Sequence, residues 1–439
     1  MHTSSDQIHG DSVRPETGLS DSRSGLLGDR ARRHAAVYIS LVIFVLSAFA
    51  DVLNGYGGVA ILTATLLLGL PGAGRSSLAS TLAFTGVGIF VMPYIGLIYM
   101  GFLVQTAWLA LFIVTAVVLV AFGETTAPAA STPGHGAADL PLIIIFLVGG
   151  LLLWGSEGLQ QVSFYAGWAF ALVHLERIHA QTRSIVYRGL GLLAFAAVIG
   201  YFTTVLWSGG GRIVQLSFAL APILLTVQYG SFRLNALMIA AAAAALSFAG
   251  RLLRFGWSDG IAGLSEDSGA SPITITSYLW HTSDSVLARG SIVDQWVLLF
   301  LNWYPRNLWP SKPTGIGSSF VNLVVGRQGV SAEHNLAIGF FGEHLFLLPQ
   351  SWFISVGLLV GVLILLRRAL ARFLAPYRTP VIIFDVWLIT LFWGGMASFA
   401  ARAWLALIPL IPYLIIVRVV VDRRRNAAGM NFDKQSGLV

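Results

Sequence analysis

From about His34 to Arg425 the chain consists mostly of apolar runs of bilayer-crossing length, and this pattern restricts it to helices packed within a membrane. A hydrocarbon core about 30 Å thick takes about 20 residues of helix and tolerates no lipid-exposed irregular backbone. On that basis helices fall near residues 36–53, 57–71, 77–93, 101–122, 140–155, 162–175, 189–207, 213–229, 234–250, 351–366, 380–398 and 403–421. Pro93 and nearby glycines mark the break after the third run, and the polar SEGLQQ beginning at Ser156 divides the fifth from the sixth. The expected fold is an all-α polytopic integral membrane protein of about twelve transmembrane helices. With 56% hydrophobic and only 11% charged residues, and a mean hydropathy of +0.76, the chain lies outside the soluble globular class.

Charge placement orients the bundle. Arg30, Arg32 and Arg33 end a polar tail over residues 1–34, and Arg423, Arg424 and Arg425 open a second tail over 422–439, so both termini are expected in the cytoplasm. Arg75, Arg177, Arg183, Arg188, Arg233, Arg367, Arg368, Arg372 and Arg378 fall in loops on the same side. Helices one to nine then occupy residues 35–250, an outward-facing loop spans 251–350, and the last three helices fill 351–421. Within the loop, Trp296 to Trp303 and Leu336 to Leu348 are apolar but too short to span, and read as interfacial or re-entrant helices.

That loop concentrates the chain's reactive side chains. YPRNLWPSKPTG, Tyr304 to Gly315, carries Arg306 and Lys312 among prolines that hold the backbone extended, so the two cations suit an anionic group. The plainer reading makes them anchors at the lipid headgroups beside tryptophan. AEHNLAIGFFGEH, Ala332 to His344, carries Glu333, His334 and Glu343. A neutral imidazole at His334 suits proton transfer, and a carboxylate in an apolar run, as Glu343 is, is costly enough to mark function. The alternatives are a helix cap for His334 and snorkelling or local pairing with His344 for Glu343. Arg402, before the last helix, and Arg251, Arg254 and Arg289 lie on the outer side against the positive-inside bias. The net charge of +7 reports topology rather than nucleic-acid binding. Without cysteine there is no thiol nucleophile, disulfide or thiolate metal site. No phosphate-binding, dinucleotide or HExxH zinc motif occurs, and no cofactor or metal is expected.

The PR…WPSKPTG element, the HN followed by GE within an apolar stretch, and the arginine ahead of the last helix resemble the bacterial O-antigen and exopolysaccharide repeat-unit polymerases, over roughly Arg289 to Trp404. The HN element is also similar to the O-antigen ligases of the same membrane glycosyltransferase superfamily. The resemblance implies a metal-independent polymerase that moves a growing glycan from undecaprenyl diphosphate to a sugar hydroxyl of a lipid-linked repeat unit, at the outer face of the inner membrane. It implies His334 and Glu343 as catalytic residues, and Arg306, Lys312 and Arg402 at the diphosphate and sugars, with Arg251, Arg254 and Arg289 as further candidates. Its implied partners are undecaprenyl-diphosphate-linked oligosaccharides, the lipid bilayer and a chain-length regulator protein, with no nucleic acid. A flippase of the same lipid-linked sugars is the reading from another class; it would need charges within its helices and an internal repeat.

Overall fold

In the computed structural model the described residues are 76–99, 107–123, 139–152, 157–182, 184–201, 212–229, 238–239, 241–243, 245, 272–282, 291–321 and 337–436. Their regular elements are helices, and no strand occurs among them. In chain order they are α1 (Ser77–Thr85, Gly86–Val91 and Met92–Tyr99, without a gap), α2 (Ala107–Gly123), α3 (Asp139–Leu152), α4 (Glu157–Gln181), α5 (Ile185–Tyr201) and α6 (Arg212–Gln228). There follow α7 (Pro272–His281), α8 (Ile292–Leu301), α9 (Ile316–Phe320), α10 (Gly339–Leu347), α11 (Trp352–Phe373) and α12 (Thr379–Ser436). Three stretches, Ser77–Leu97, Trp352–Phe373 and Thr379–Val420, are long and apolar enough to cross a membrane. With the shorter apolar helices around them they fit a membrane protein. On α11, Phe353, Ile354, Leu358, Leu365 and Phe373 point outward, an apolar face that suits contact with lipid.

Several expected boundaries move. The helices expected over 162–175 and 351–366 run to Gln181 and Phe373, so Arg177, Arg367, Arg368 and Arg372, expected in loops, lie within α4 and α11. Two changes bear on the shape of the bundle. The helix expected to stop at Pro93 continues to Tyr99, because Gly86–Val91 widens into a π turn in which the Met92 amide bonds to Val87 O. Proline has no amide hydrogen to give, and a local π adjustment just ahead of it lets the helix continue. The break expected between 398 and 403 lies instead at Gly395, the one residue inside α12 with non-helical angles, φ 80° and ψ −172°. Only glycine adopts that region readily.

Gly395 folds α12 into a hairpin, as its contacts along α4 demonstrate. In the first arm, Trp387 meets Trp168 (ring centroids 5.9 Å apart) and Thr379 meets Glu176, so this arm runs antiparallel to α4. In the second arm, Arg402 lies beside Tyr165 and Tyr413 stacks edge-on against Phe170 at 5.2 Å, so this arm runs parallel to it. Arg418 then donates to Phe373 O, 2.8 Å away, at the C-terminal end of α11. A helix of such length would be far longer than one bilayer thickness if straight; at Gly395 it is folded into two shorter apolar arms.

Polar contacts separate the two ends of the hairpin. At the end where α12 begins, Asp385 accepts from Arg367 Nε at 2.7 Å and Nη2 at 3.0 Å and from Ser77 Oγ at 2.6 Å, while Arg367 Nη1 donates to Gly123 O. Glu176 accepts from the Arg378 and Thr379 amides, the Thr379 hydroxyl and the Tyr229 hydroxyl. Its two oxygens satisfy amides that would otherwise be orphaned at the start of α12. Between the ends, Tyr165, Trp168, Phe218 and Trp387 interlock across α4, α6 and α12. Nearer the Gly395 end, Phe90, Phe112, Phe340 and Phe392 form a second aromatic cluster.

Candidate functional site

Two segments distant in sequence, the end of α8 and α10, converge on the first turns of the second α12 arm. From the stretch after α8, Asn302 Nδ2 donates to Ala397 O at 2.7 Å. From the arm itself, Trp404 Nε1 donates to Leu299 O at 2.6 Å. From α10, the Met396 amide donates to Glu343 Oε2 at 2.7 Å. The loop that the sequence places outside therefore folds back onto the final helices, and the contacts lie at the Gly395 end of the hairpin.

Glu343 is fully buried. Its carboxylate lies so close to Gly395 that a β-carbon there would collide with it, which gives a second reason for glycine beside the positive φ. By accepting from Met396 it caps the second arm, as Glu176 caps the first, but the two caps differ. Glu176 uses both oxygens, whereas Glu343 Oε1 is buried with no hydrogen-bond partner. Burial pushes the Glu343 carboxyl up to about 8, against the opposing pull of the Met396 amide. His344 turns the other way, with Nδ1 2.9 Å from Ser355 Oγ on α11, so the two neighbours on α10 do not pair. Burial holds the His344 imidazole well below its ordinary value, at about 3, and therefore neutral.

The cations stand in different settings. Arg306 is exposed, and its two terminal nitrogens donate to Lys312 O at 2.7 Å and Pro313 O at 3.1 Å. Lys312 Nζ donates in turn to the carbonyls of Asn302 and Tyr304. Partial burial, then the charge of Arg306, lowers the Lys312 pKa. The two residues thus staple the turn from Asn302 to Pro313, replacing amide donors that its prolines lack. Arg402 lies inside the helical arm, not in a connector. Its Nη1 donates at 2.7 Å to both the carbonyl and the hydroxyl of Ser398, and its guanidinium meets the buried Tyr165 hydroxyl. Among the described residues no carboxylate pairs with it.

His334, Arg251, Arg254 and Arg289 lie outside the described residues, as do Glu333 and Arg327. Among the described residues no three His, Asp or Glu side chains cluster as metal ligands would. Sequence reasoning overlooked Tyr165, Ser398 and Glu176. The first two are ordinary polar residues in helical runs. Glu176 stands in a charged patch near a helix end, where nothing in the sequence separates a capping carboxylate from a solvated one. Comparison with protein-family models, with curated proteins and with solved structures gives no match.

Proposed function

We propose that this membrane protein is a glycosyltransferase that polymerises lipid-linked repeat units, with its working end at the Gly395 turn. The observation that carries this reading is the meeting of the Arg306/Lys312 turn, the Glu343 helix and the Arg402 arm around residues 396–404. These are the elements on which the sequence resemblance rests, apart from the HN at His334, which lies outside the described residues. A half-buried arginine with no carboxylate partner among the described residues, near the Gly395 end of the hairpin, is set to receive an anion from outside the chain. The reading includes about twelve crossings, both termini in the cytoplasm, and this end facing outward across the bacterial inner membrane.

In the reaction, the acceptor hydroxyl oxygen bonds to the anomeric carbon of the donor glycan. The bond from that carbon to phosphate oxygen breaks, undecaprenyl diphosphate leaves, and the hydroxyl proton passes to a base. Arg402, already oriented by Ser398 and Tyr165, offers its remaining donors to the charge that develops on the leaving diphosphate. The stapled Arg306 and Lys312 supply a fixed positive rim. Arginine cannot accept the proton, which leaves that part to His334 or Glu343, the two residues that the resemblance implies as catalytic.

The test is purified protein in lipid nanodiscs supplied with an undecaprenyl-diphosphate-linked repeat unit. The expected result is a polymer ladder with one undecaprenyl diphosphate released per new linkage. Arg402→Lys keeps the charge but loses the fork, and with a charge-assisted bond worth about 1.5–3 kcal/mol the rate should fall about ten- to a hundredfold. Transfer only to a lipid A core acceptor would make the protein a ligase. Transbilayer movement of the lipid without new linkages would make it a flippase.

A further inference from the structure

The contrast between the two glutamate caps of α12 carries an inference that does not depend on glycosyl transfer. Glu176 receives four donors on its two oxygens and completes the start of the first arm. Glu343 receives the Met396 amide alone, and its other oxygen is buried without a donor. An ionised oxygen in that position would be far costlier to bury than a neutral hydroxyl. A proton neutralises that oxygen without moving the described helices around it. We propose that Glu343 is a proton-linked latch: protonated, it closes α10 onto the second arm at the Gly395 hinge, and on losing its proton it draws in water and releases that contact.

The groups around the latch do not supply its charge balance. On α10 itself, His344 faces Ser355 of α11. On α7, Tyr278 and His281 are exposed. On α1, whose Phe90 touches Phe341, Tyr94 is buried. On α12, Arg402 is bonded to Ser398, and Asp385 lies towards the other end, paired with Arg367. None of them acts by charge on Glu343, whose upward shift comes from burial opposed by the Met396 amide. The hinge gives the proton a lever: Gly395 is held by the carboxylate packed against it, and the arm that starts there bears Arg402.

The sign follows from the raised value. An opened, hydrated carboxyl titrates near the ordinary 4.5, and the closed one near 8. The closed form is therefore most favoured below about 4.5, loses up to about tenfold in its favour per pH unit above that, and loses no more beyond about 8.

The chain has no native cysteine, so a single thiol can report opening. Ala397→Cys places one beside Met396, and Ser311→Cys provides an exposed control. In nanodiscs, the labelling rate at 397 divided by that at 311 should rise at least about tenfold from pH 5.5 to pH 8, within the limit of about tenfold per unit. In the Glu343→Gln background, which keeps an oxygen for Met396 but cannot ionise, the ratio should stay at its low value. A flat ratio with Glu343 intact overturns the latch, as does an equal rise in Glu343→Gln. Infrared spectroscopy offers a second arm that needs no variant beyond Ala397→Cys. A protonated carboxyl band at pH 6 should fade over the same pH range as labelling increases, and a band that fades over a different range, or none at all, also overturns it.

Discussion

Replacing Asp385 with asparagine tests the buried ion pair that ties α1, α2, α11 and α12 together. The carboxylate accepts three hydrogen bonds, two from Arg367 at 2.7 and 3.0 Å and one from Ser77 at 2.6 Å. Asparagine has one accepting oxygen and turns an NH₂ toward donors, so the buried Arg367 guanidinium loses the Asp385 charge. Breaking a buried pair from one side costs about 3–5 kcal/mol, which shifts the unfolding equilibrium by about a hundred- to several-thousandfold. The assay is reversible unfolding of the purified protein in bicelles. Arg367→Met combined with Asp385→Leu removes both charges, and should recover most of the loss. About 1 kcal/mol should remain for Gly123 O, which loses its Arg367 donor. If Asp385→Asn unfolds within about 0.5 kcal/mol of the parent, or if the double variant is as unstable as the two single losses added, the pair does not hold the bundle as the geometry requires.

Gly395→Ala forces an L residue into a glycine-only region and pushes a methyl into the Glu343 carboxylate, so it should destabilise by about 2 kcal/mol or more in the same unfolding assay. Glu343→Ala in that background should relieve the collision but not the backbone strain, giving a loss smaller than the sum of the two single changes. Glu176→Gln turns an NH₂ toward donors at the start of α12 and should cost about 1–3 kcal/mol, measured as faster amide exchange at Arg378 and Thr379. Arg306→Ala and Lys312→Ala should each speed proteolysis of the Asn302 to Pro313 turn while leaving global unfolding within about 0.5 kcal/mol; unchanged cleavage would remove the stapling role.

The helical class could be read from the chain because a bilayer admits so few backbones, and apolar runs report that restriction residue by residue. Local chemistry could be read in part. The prolines around Arg306 and Lys312 suggested an extended cationic stretch; the backbone instead coils into hydrogen-bonded turns, whose own carbonyls take up the guanidinium and ammonium. Hinge positions were harder, since they depend on contacts distant in sequence. Pro93 looks like a stop, yet a π turn carries the helix through it. The Gly394–Gly395 pair sits in an uninterrupted apolar run, and only the buried Glu343 pressing on Gly395 explains why the chain reverses there instead of at the later polar residues. The same holds for function. Glu343 attracted attention as a charge in an apolar run, and that physical reason still applies. Its partner, however, is a backbone amide on a helix far along the chain, and no spacing within AEHNLAIGFFGEH specifies that pairing. The cost of burying a carboxylate is legible in one dimension, whereas what offsets that cost is decided by packing. The two glutamates that cap α12 differ in their sequence settings, a charged patch for one and an apolar run for the other, yet neither setting tells which cap is complete: only their neighbours in space make one of them a completed cap and the other a group with an oxygen still to satisfy.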